Sequence, residues 1–188
     1  MHKFSEIYYF IEEFNKQEIE RLNKNISLIY RNYKKKYNFS TIEKLSKLCA
    51  HQNRKFYIAN DLKLALRLNS DGVYIPSFNK LCNLKNLNAK KNFKIFGSAH
   101  NIIELKNKQS QGCKEILIAP IFKTKKNDSF LDVIKFNLIA KNGNYIIALG
   151  GINETNISRL RLTKSIAIAS ISWIKKTAQI NLGRFKFY

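Results

Sequence analysis

Proline and glycine are scarce in this sequence: two prolines and seven glycines among 188 residues. They form no linker-like stretch, so the chain is expected to be one domain over 1–188. Cysteine is scarce too. Cys49, Cys82 and Cys113 stand about thirty residues apart, with no Cys-x-x-Cys and no Cys/His pair at metal-ligand spacing. That excludes a disulfide framework and a zinc site, and makes reduced thiols in a cytoplasmic protein the expectation. No apolar run approaches the roughly 18 residues that cross a bilayer, which excludes a transmembrane helix. Met1 to Glu6 run into Glu12 and Glu13 without a long apolar stretch, so a secretory leader is not expected.

Acidic residues are the remaining shortage: 13 Asp and Glu against 34 Lys and Arg, a formal charge of +21. The 45% hydrophobic content and 13 Phe nevertheless exclude a disordered basic tail. Lys (27), Ile (25) and Asn (22) make up 74 of the 188 residues, and these are the amino acids that AT-rich codons specify. Only 7 of the 34 cations are Arg, and the lysines are spread along the chain. A nucleic-acid groove favours clustered cations with exposed aromatics. The charge therefore reads mainly as generic surface, with short runs at 34–36 and 123–126 as exceptions.

What the sequence does have is a recurring β-branched or aromatic run. Eight stand out: 7–11 (IYYFI), 26–30 (ISLIY), 55–59 (KFYIA), 72–75 (GVYI), 93–96 (FKIF), 115–119 (EILIA), 145–149 (YIIAL) and 166–169 (IAIA). They are near-continuous rather than alternating, as in strands covered on both faces. Helical segments are expected at 15–23, from Ser40 with capping-box spacing to Glu43, at 61–68, at 100–108 and at 153–162. Strand starts recur every 17 to 30 residues or so, the spacing of βα units. Eight such units predict a short single (β/α)8 TIM barrel whose last helix, within 172–188, is truncated or irregular. A doubly wound sheet is the rival, but it places phosphate glycines after the first strand, whereas Gly150-Gly151 follows the seventh.

In such a barrel the active site is built from residues just after each strand. Those positions hold Arg31, then Asn60 and Asp61, Pro76 and Ser77, then Ser98 and His100, Thr124 with its lysines, Gly150 and Gly151, and Ala169-Ser170. Glycines before a helix start, with Ser170 nearby, make a phosphate cradle or a tight turn. His100 is an acid/base candidate or a helix-capping residue. Asp61 is an N-cap or an oxygen ligand for Mg²⁺. An inward Arg31 at the mouth would meet an anion.

These residues form an ordered set with Tyr57-Ile58-Ala59-Asn60-Asp61, Gly97-Ser98-Ala99-His100-Asn101, Pro120-Ile121-Phe122-Lys123-Thr124, Ala148-Leu149-Gly150-Gly151-Ile152-Asn153 and Ile168-Ala169-Ser170. From about Ile26 to Ile174 the set resembles the family of thiamine phosphate synthase and the TenI thiazole tautomerases. The resemblance implies a (β/α)8 barrel acting on small phosphorylated substrates, with neither a nucleic acid nor a membrane as partner. In the synthase, hydroxymethylpyrimidine diphosphate loses pyrophosphate and the resulting cation is captured by a thiazole phosphate nitrogen. By motif position, Arg31, Ser98 and Thr124 would contact pyrophosphate. Asn60 would touch pyrimidine or phosphate, and Asp61 would bind Mg²⁺. Gly150, Gly151, Ala169 and Ser170 would hold the thiazole phosphate. In a tautomerase, His100 would be the catalytic base. A third reading is a phosphometabolite-binding barrel without catalysis.

The sequence departs from the family pattern in three places. The strand-two motif Gln-x-Arg-Glu-Lys reads Ile29-Tyr30-Arg31-Asn32-Tyr33 here, with Lys34 or Lys35 as substitutes for the lost Lys. Asn79 occupies the place of a second metal-binding Asp, and an amide does not supply a carboxylate's charge, which lowers the expected Mg²⁺ affinity. After strand six no Gly-rich stretch follows Thr124, and Lys126 would replace the family Lys by a one-residue slip.

Overall fold

Runs of β-branched and aromatic residues pair well on a pleated surface covered on both sides, and all eight form strands. In the computed structural model, which describes residues 4–33, 38–81, 84–85, 87, 89–125 and 128–179, they are β1 (Ile7–Ile11), β2 (Ile26–Tyr30), β3 (Phe56–Ala59), β4 (Gly72–Ile75), β5 (Lys94–Ala99), β6 (Glu115–Ile118), β7 (Tyr145–Leu149) and β8 (Ala167–Ser170). Each pairs in parallel with the next, and β8 returns to β1 through Ile7↔Ile168 and Tyr9↔Ser170, closing the barrel. The expected (β/α)8 TIM barrel is thus the fold. Lys34, Lys35, Cys82, Lys126 and the tail from 180 lie outside the described residues.

Alternation along the strands separates two cores. Tyr8, Phe10, Ile29, Tyr57, Tyr74, Phe96, Leu117 and Ile147 fill the lumen with Ala59, Ala167 and Ala169. Large rings from β1, β3, β4 and β5 thus complement small residues on β8, filling the interior without a pore. The outward set, including Leu28, Ile58, Ile116 and Ile168, packs under the helices with Ile42, Leu45, Leu105 and Phe136. At the foot, Glu6 takes ammoniums from Lys55 and Lys94, both at 2.5 Å, and the Tyr8 hydroxyl. Lys94 also reaches Glu115 at 2.9 Å. Gly72 is dictated by close approach, since a Cβ there would stand 2.1 Å from the Lys94 carbonyl oxygen.

Helices follow the strands: α1 (Lys16–Arg21), α2 (Phe39–His51), α3 (Leu62–Arg67), α4 (Ile102–Ser110), α5 (Asp132–Ala140) and α6 (Ser172–Gln179). Asn15, Asp61 and Asn101 cap α1, α3 and α4 through side-chain oxygens. Four details differ from the sequence reading. Asn38, not Ser40, caps α2, accepting from the Thr41 N–H at 3.4 Å, because the helix begins one residue before Ser40. α5 was not expected: its cap residue Leu131 offers no side-chain hydrogen bond and its apolar residues are not confined to one face. Only 157–162 of the expected helix at 153–162 is helical, as a 3-10 turn, because Asn153 diverts the preceding backbone into an Asx turn through the Thr155 and Asn156 N–H groups. β5 runs on to Ala99, which makes Ser98 a wall residue rather than a loop residue. No described helix is long and apolar enough to cross a membrane.

Candidate active site

Parallel strands bring all eight carboxyl ends to one rim, and the candidate residues gather there. Arg31 leaves β2 with its N–H on the Ile11 carbonyl (2.8 Å). Its guanidinium lies over the Phe10 ring, 4.6 Å from the centroid, so the aromatic lining of the lumen holds the cation above the barrel mouth. Glu12 approaches it only loosely, at 3.9 Å. The place of the family Gln is taken by Ile29, fully buried in the lumen core.

Across the mouth runs a chain of hydroxyls. Tyr74 of β4 donates to Ser98 Oγ (2.8 Å), and the Ser77 N–H donates to the same oxygen (3.0 Å). Both lone pairs of Ser98 are therefore engaged, and its own proton is left to donate to a bound oxygen. Burial pushes the Tyr74 hydroxyl above its ordinary value, against the pull of Ser98 and the Arg31 charge, so it remains a protonated donor. Ser77 Oγ stands 3.3 Å from His100 Nε2, and His100 Nδ1 lies 2.8 Å from the Ala119 carbonyl oxygen. A carbonyl only accepts, so Nδ1 carries a proton and Nε2 is the ring nitrogen turned toward Ser77.

Asn60 follows β3 in a left-handed conformation (φ 60°) and donates its N–H to the Tyr74 carbonyl. Its Oδ1 accepts from Asn79 Nδ2 (2.7 Å), tying the loops after β3 and β4 together. Asp61 uses Oδ1 to cap α3, accepting from the Leu64 N–H at 2.9 Å. Among the described residues no three His, Cys, Asp or Glu side chains form a metal-binding group. Asp61 thus stands as a single carboxylate beside two amides bonded to each other. That donor set suits a Mg²⁺ ion carried mainly by phosphate oxygens rather than a preformed all-protein centre.

The loops after β6 and β7 are stitched together by Ile121 N–H to Leu149 O (2.9 Å) and Phe122 N–H to Gly150 O (3.1 Å). Both glycines adopt positive φ, 95° and 72°. A Cβ on Gly151 would fall 2.4 Å from the Phe122 carbonyl oxygen and 2.5 Å from that of Lys123, so only glycine fits against the loop that carries Thr124. Thr124 is half-buried there, while Lys126 is outside the described residues. On β8, Ala169 faces the lumen, paired with Tyr8 and Leu149. Ser170 is buried at the strand end, two residues before α6 begins. Paired glycines, a buried hydroxyl and a helix start thus come together beyond β7 and β8.

The family model described as "Thiamine monophosphate synthase" matches residues 13–174. The chain belongs to this family. Thiamine-phosphate synthase of Prochlorococcus marinus is 33% identical over 129 residues, 63% of this chain and 35% of that protein. The chain therefore spans about a third of that relative's length. Thiamine-phosphate synthase of Pelagibacter ubique is 30% identical over 164 residues, covering 82% of this chain and 78% of its own. Thiamine phosphate pyrophosphorylase from Pyrococcus furiosus superposes with a TM-score of 0.68 at 16% identity, over 93% of this chain and 92% of that one, a likeness of fold.

Within this barrel, sequence reasoning passed over two residues that organise the mouth, Tyr74 and Phe10, and gave a third, Ser77, only as one strand exit among the others. Tyr74 and Phe10 are readable as lumen-facing by period-two alternation, but their contacts join different strands. Ser77 follows β4 in an ordinary turn, and only its placement between Ser98 and His100 marks it.

Proposed function

We propose that the protein is a thiamine-phosphate synthase: it joins hydroxymethylpyrimidine diphosphate to thiazole phosphate and releases pyrophosphate. The observation that carries this reading is Arg31, held over the lumen by Phe10 and facing the Tyr74–Ser98 hydroxyl chain. In the reaction the bond from the pyrimidine methylene carbon to the diphosphate oxygen breaks, and its electron pair leaves with pyrophosphate. The thiazole nitrogen lone pair then forms the new C–N bond to the methylene cation. Arg31 and the Ser98 proton would meet the negative charge that grows on the leaving oxygens, the electrostatic work this step needs. Asp61 would hold Mg²⁺, which when bound adds further charge neutralisation on the diphosphate. Gly150, Gly151, Ala169, Ser170 and the start of α6 would grip the thiazole phosphate, with Thr124 opposite. Free thiols at Cys49 and Cys113 are in keeping with action in the cytoplasm. With both substrates and Mg²⁺ supplied, thiamine phosphate should form. Folded protein that makes none at high concentration overturns the proposal.

One observation favours a second reading, tautomerisation of a thiazole carboxylate phosphate. The Ala119 carbonyl orients the His100 ring through Nδ1 and turns Nε2 toward Ser77, a geometry suited to moving a proton. Folded protein without tautomerase turnover would sink this reading, turnover that survives His100→Asn would remove His100 as its base, and neither result touches the synthase reading.

A further inference from the structure

At the foot of the barrel, opposite Arg31, lies an open cavity of about 830 Å³. Its wall begins at the first residues of β3 to β6. Its outer side is the crossover between β4 and β5, which carries no helix among its described residues. That segment is pinned to the end of α4 by Leu84 N–H to Gln111 O (2.8 Å). Gly112, at φ 93°, permits the close approach, since a Cβ there would stand 2.9 Å from the Lys85 nitrogen.

Six of its eighteen lining residues are lysines: Lys55, Lys85, Lys90, Lys91, Lys94 and Lys114. The whole chain has 27 lysines in 188 residues, so the cavity is more than twice as lysine-rich as codon composition supplies. The charges divide by role. Lys55 and Lys94 are matched by Glu6 and Glu115 in the floor of the barrel. Asp71 turns its carboxylate to the Phe56 N–H at 2.8 Å. Lys90 donates only to the neutral Asn69 carbonyl (2.9 Å), and Lys90, Lys91 and Lys114 form no ion pair among the described residues. These exposed ammoniums leave the rim positive.

The wall is not uniformly polar. Leu84, Leu87, Phe93 and Ile95 supply apolar surface, and Tyr57 closes the inner side. Among the described residues the Tyr57 hydroxyl, buried beside the Tyr8 ring, has no hydrogen-bond partner of good geometry. The volume lies in the range of small-molecule sites and exceeds what a bare phosphate fills. Lysine is a phosphate binder of the point-charge kind. A ligand matched to this wall has several negative charges and an aromatic or apolar part.

We propose that this basal cavity is a second anion site, distinct from the catalytic rim, which takes a nucleotide-sized organic polyphosphate. Lys90, Lys91 and Lys114 meet its phosphates, and Phe93 with Leu87 takes its ring. The site is independent of the synthase reading, because none of these residues belongs to the mouth.

The test is calorimetry on the full chain at about 0.15 M salt, with ATP as probe and inorganic tripolyphosphate as its counterpart without a ring. Three proteins are compared: the unmodified chain, the doubly reversed Lys91→Glu/Lys114→Glu variant, and Arg31→Ala. Both reversed lysines are exposed, and circular dichroism checks the fold. ATP should bind the unmodified chain, about tenfold more weakly to the reversed variant, and within about twofold as well to Arg31→Ala. Tripolyphosphate should bind more weakly than ATP. The proposal falls if ATP gives no heat at millimolar concentration, or if the reversed variant binds it unchanged. It falls equally if Arg31→Ala is the variant that loses ATP. Tripolyphosphate binding as tightly as ATP removes the organic ligand. An RNA oligonucleotide that displaces ATP from the reversed and unmodified proteins alike makes the face a general polyanion surface and overturns the site.

Discussion

Arg31 and Asp61 bear most of the expected chemistry, and identifiable contacts hold each. The Arg31 guanidinium lies over the Phe10 ring, and a lysine ammonium has neither a plane to stack nor the fork to take two phosphate oxygens. Arg31→Lys should therefore lower kcat/KM for thiamine phosphate formation by about tenfold or more, while the melting temperature stays near that of the unmodified protein. A steady-state assay with both substrates decides this. Asp61 caps α3 and supplies a carboxylate next in sequence to Asn60, whose amide is bonded to Asn79. Asparagine caps as well as aspartate, so Asp61→Asn should leave α3 intact and raise the Mg²⁺ concentration needed for half-maximal turnover. Asn79→Asp restores a second carboxylate and should lower it. A Mg²⁺ titration in which both variants match the unmodified protein would remove the metal role from Asp61. Cys49 is predicted to be inert at the same scale. Burial pushes its thiol up to about 12, outweighing the nearby Arg54 charge, so a thiol reagent should leave it unmodified at neutral pH until the chain unfolds.

Elements are joined by side chains that satisfy backbone groups far from their own position. Arg54, buried just before β3, donates Nη1 to the carbonyls of Asn23 (2.8 Å) and Ile26 (2.7 Å) and Nη2 to those of Leu22 (3.1 Å) and Ile19 (3.3 Å). Two of these carbonyls also take backbone N–H groups, Ile19 from Leu22 and Asn23 from Ile26, so the guanidinium braces the whole turn between α1 and β2. Arg54→Met keeps the bulk and removes all four bonds, and should cost about 2–4 kcal/mol, read as a fall in the urea midpoint. Lys108 acts similarly for the loop after β4. Almost wholly buried on α4, it donates to the Asn79 carbonyl at 2.6 Å, so a helix on the outer layer sets the position of a residue at the mouth. The sequence patterns made most of these elements legible. Period and length marked the strands, and Asn15, Asp61 and Asn101 marked helix starts because a cap acts within three residues of itself. α5 escaped because it has neither cap nor clean stripe, and its stability comes from burying Phe136 and Ala140 against the barrel.

At the scale of the whole molecule, one ion network closes the foot of the barrel. Burial alone would raise the Glu6 carboxyl, but hydrogen bonds from Lys55, Lys94 and Tyr8 hold it below its ordinary 4.5. Burial alone would lower Lys94, but Glu6 and Glu115 hold its ammonium above its ordinary 10.5. The Glu6 contribution to stability is present above 4.5 and lost as pH falls through its depressed folded value. The Lys94 contribution is present below 10.5 and lost as pH rises through its elevated folded value. Urea midpoints measured against pH should therefore show a plateau between these limits, falling on both sides. In Glu6→Gln the acid-side fall should shrink, and a variant that keeps the full fall would place the titration elsewhere.

The sequence by itself determined the number of strands, their parallel arrangement and the family, because burial on both faces writes continuous apolar runs and the motif segments are local in the chain. It also placed Arg31, Asn60, Asp61, Ser98, His100 and Gly151 at strand exits or beside them, since the barrel plan puts every exit on one rim. Tertiary structure alone decided what those residues touch. The Phe10 support for Arg31, the Tyr74–Ser98–Ser77–His100 chain and the Glu6–Lys94 pair, 88 residues apart in sequence, come into being only when the barrel closes. The lysine-rich cavity at its foot likewise needs four strand ends and one crossover brought together. No local pattern encodes contacts between side chains that meet only through the closed sheet.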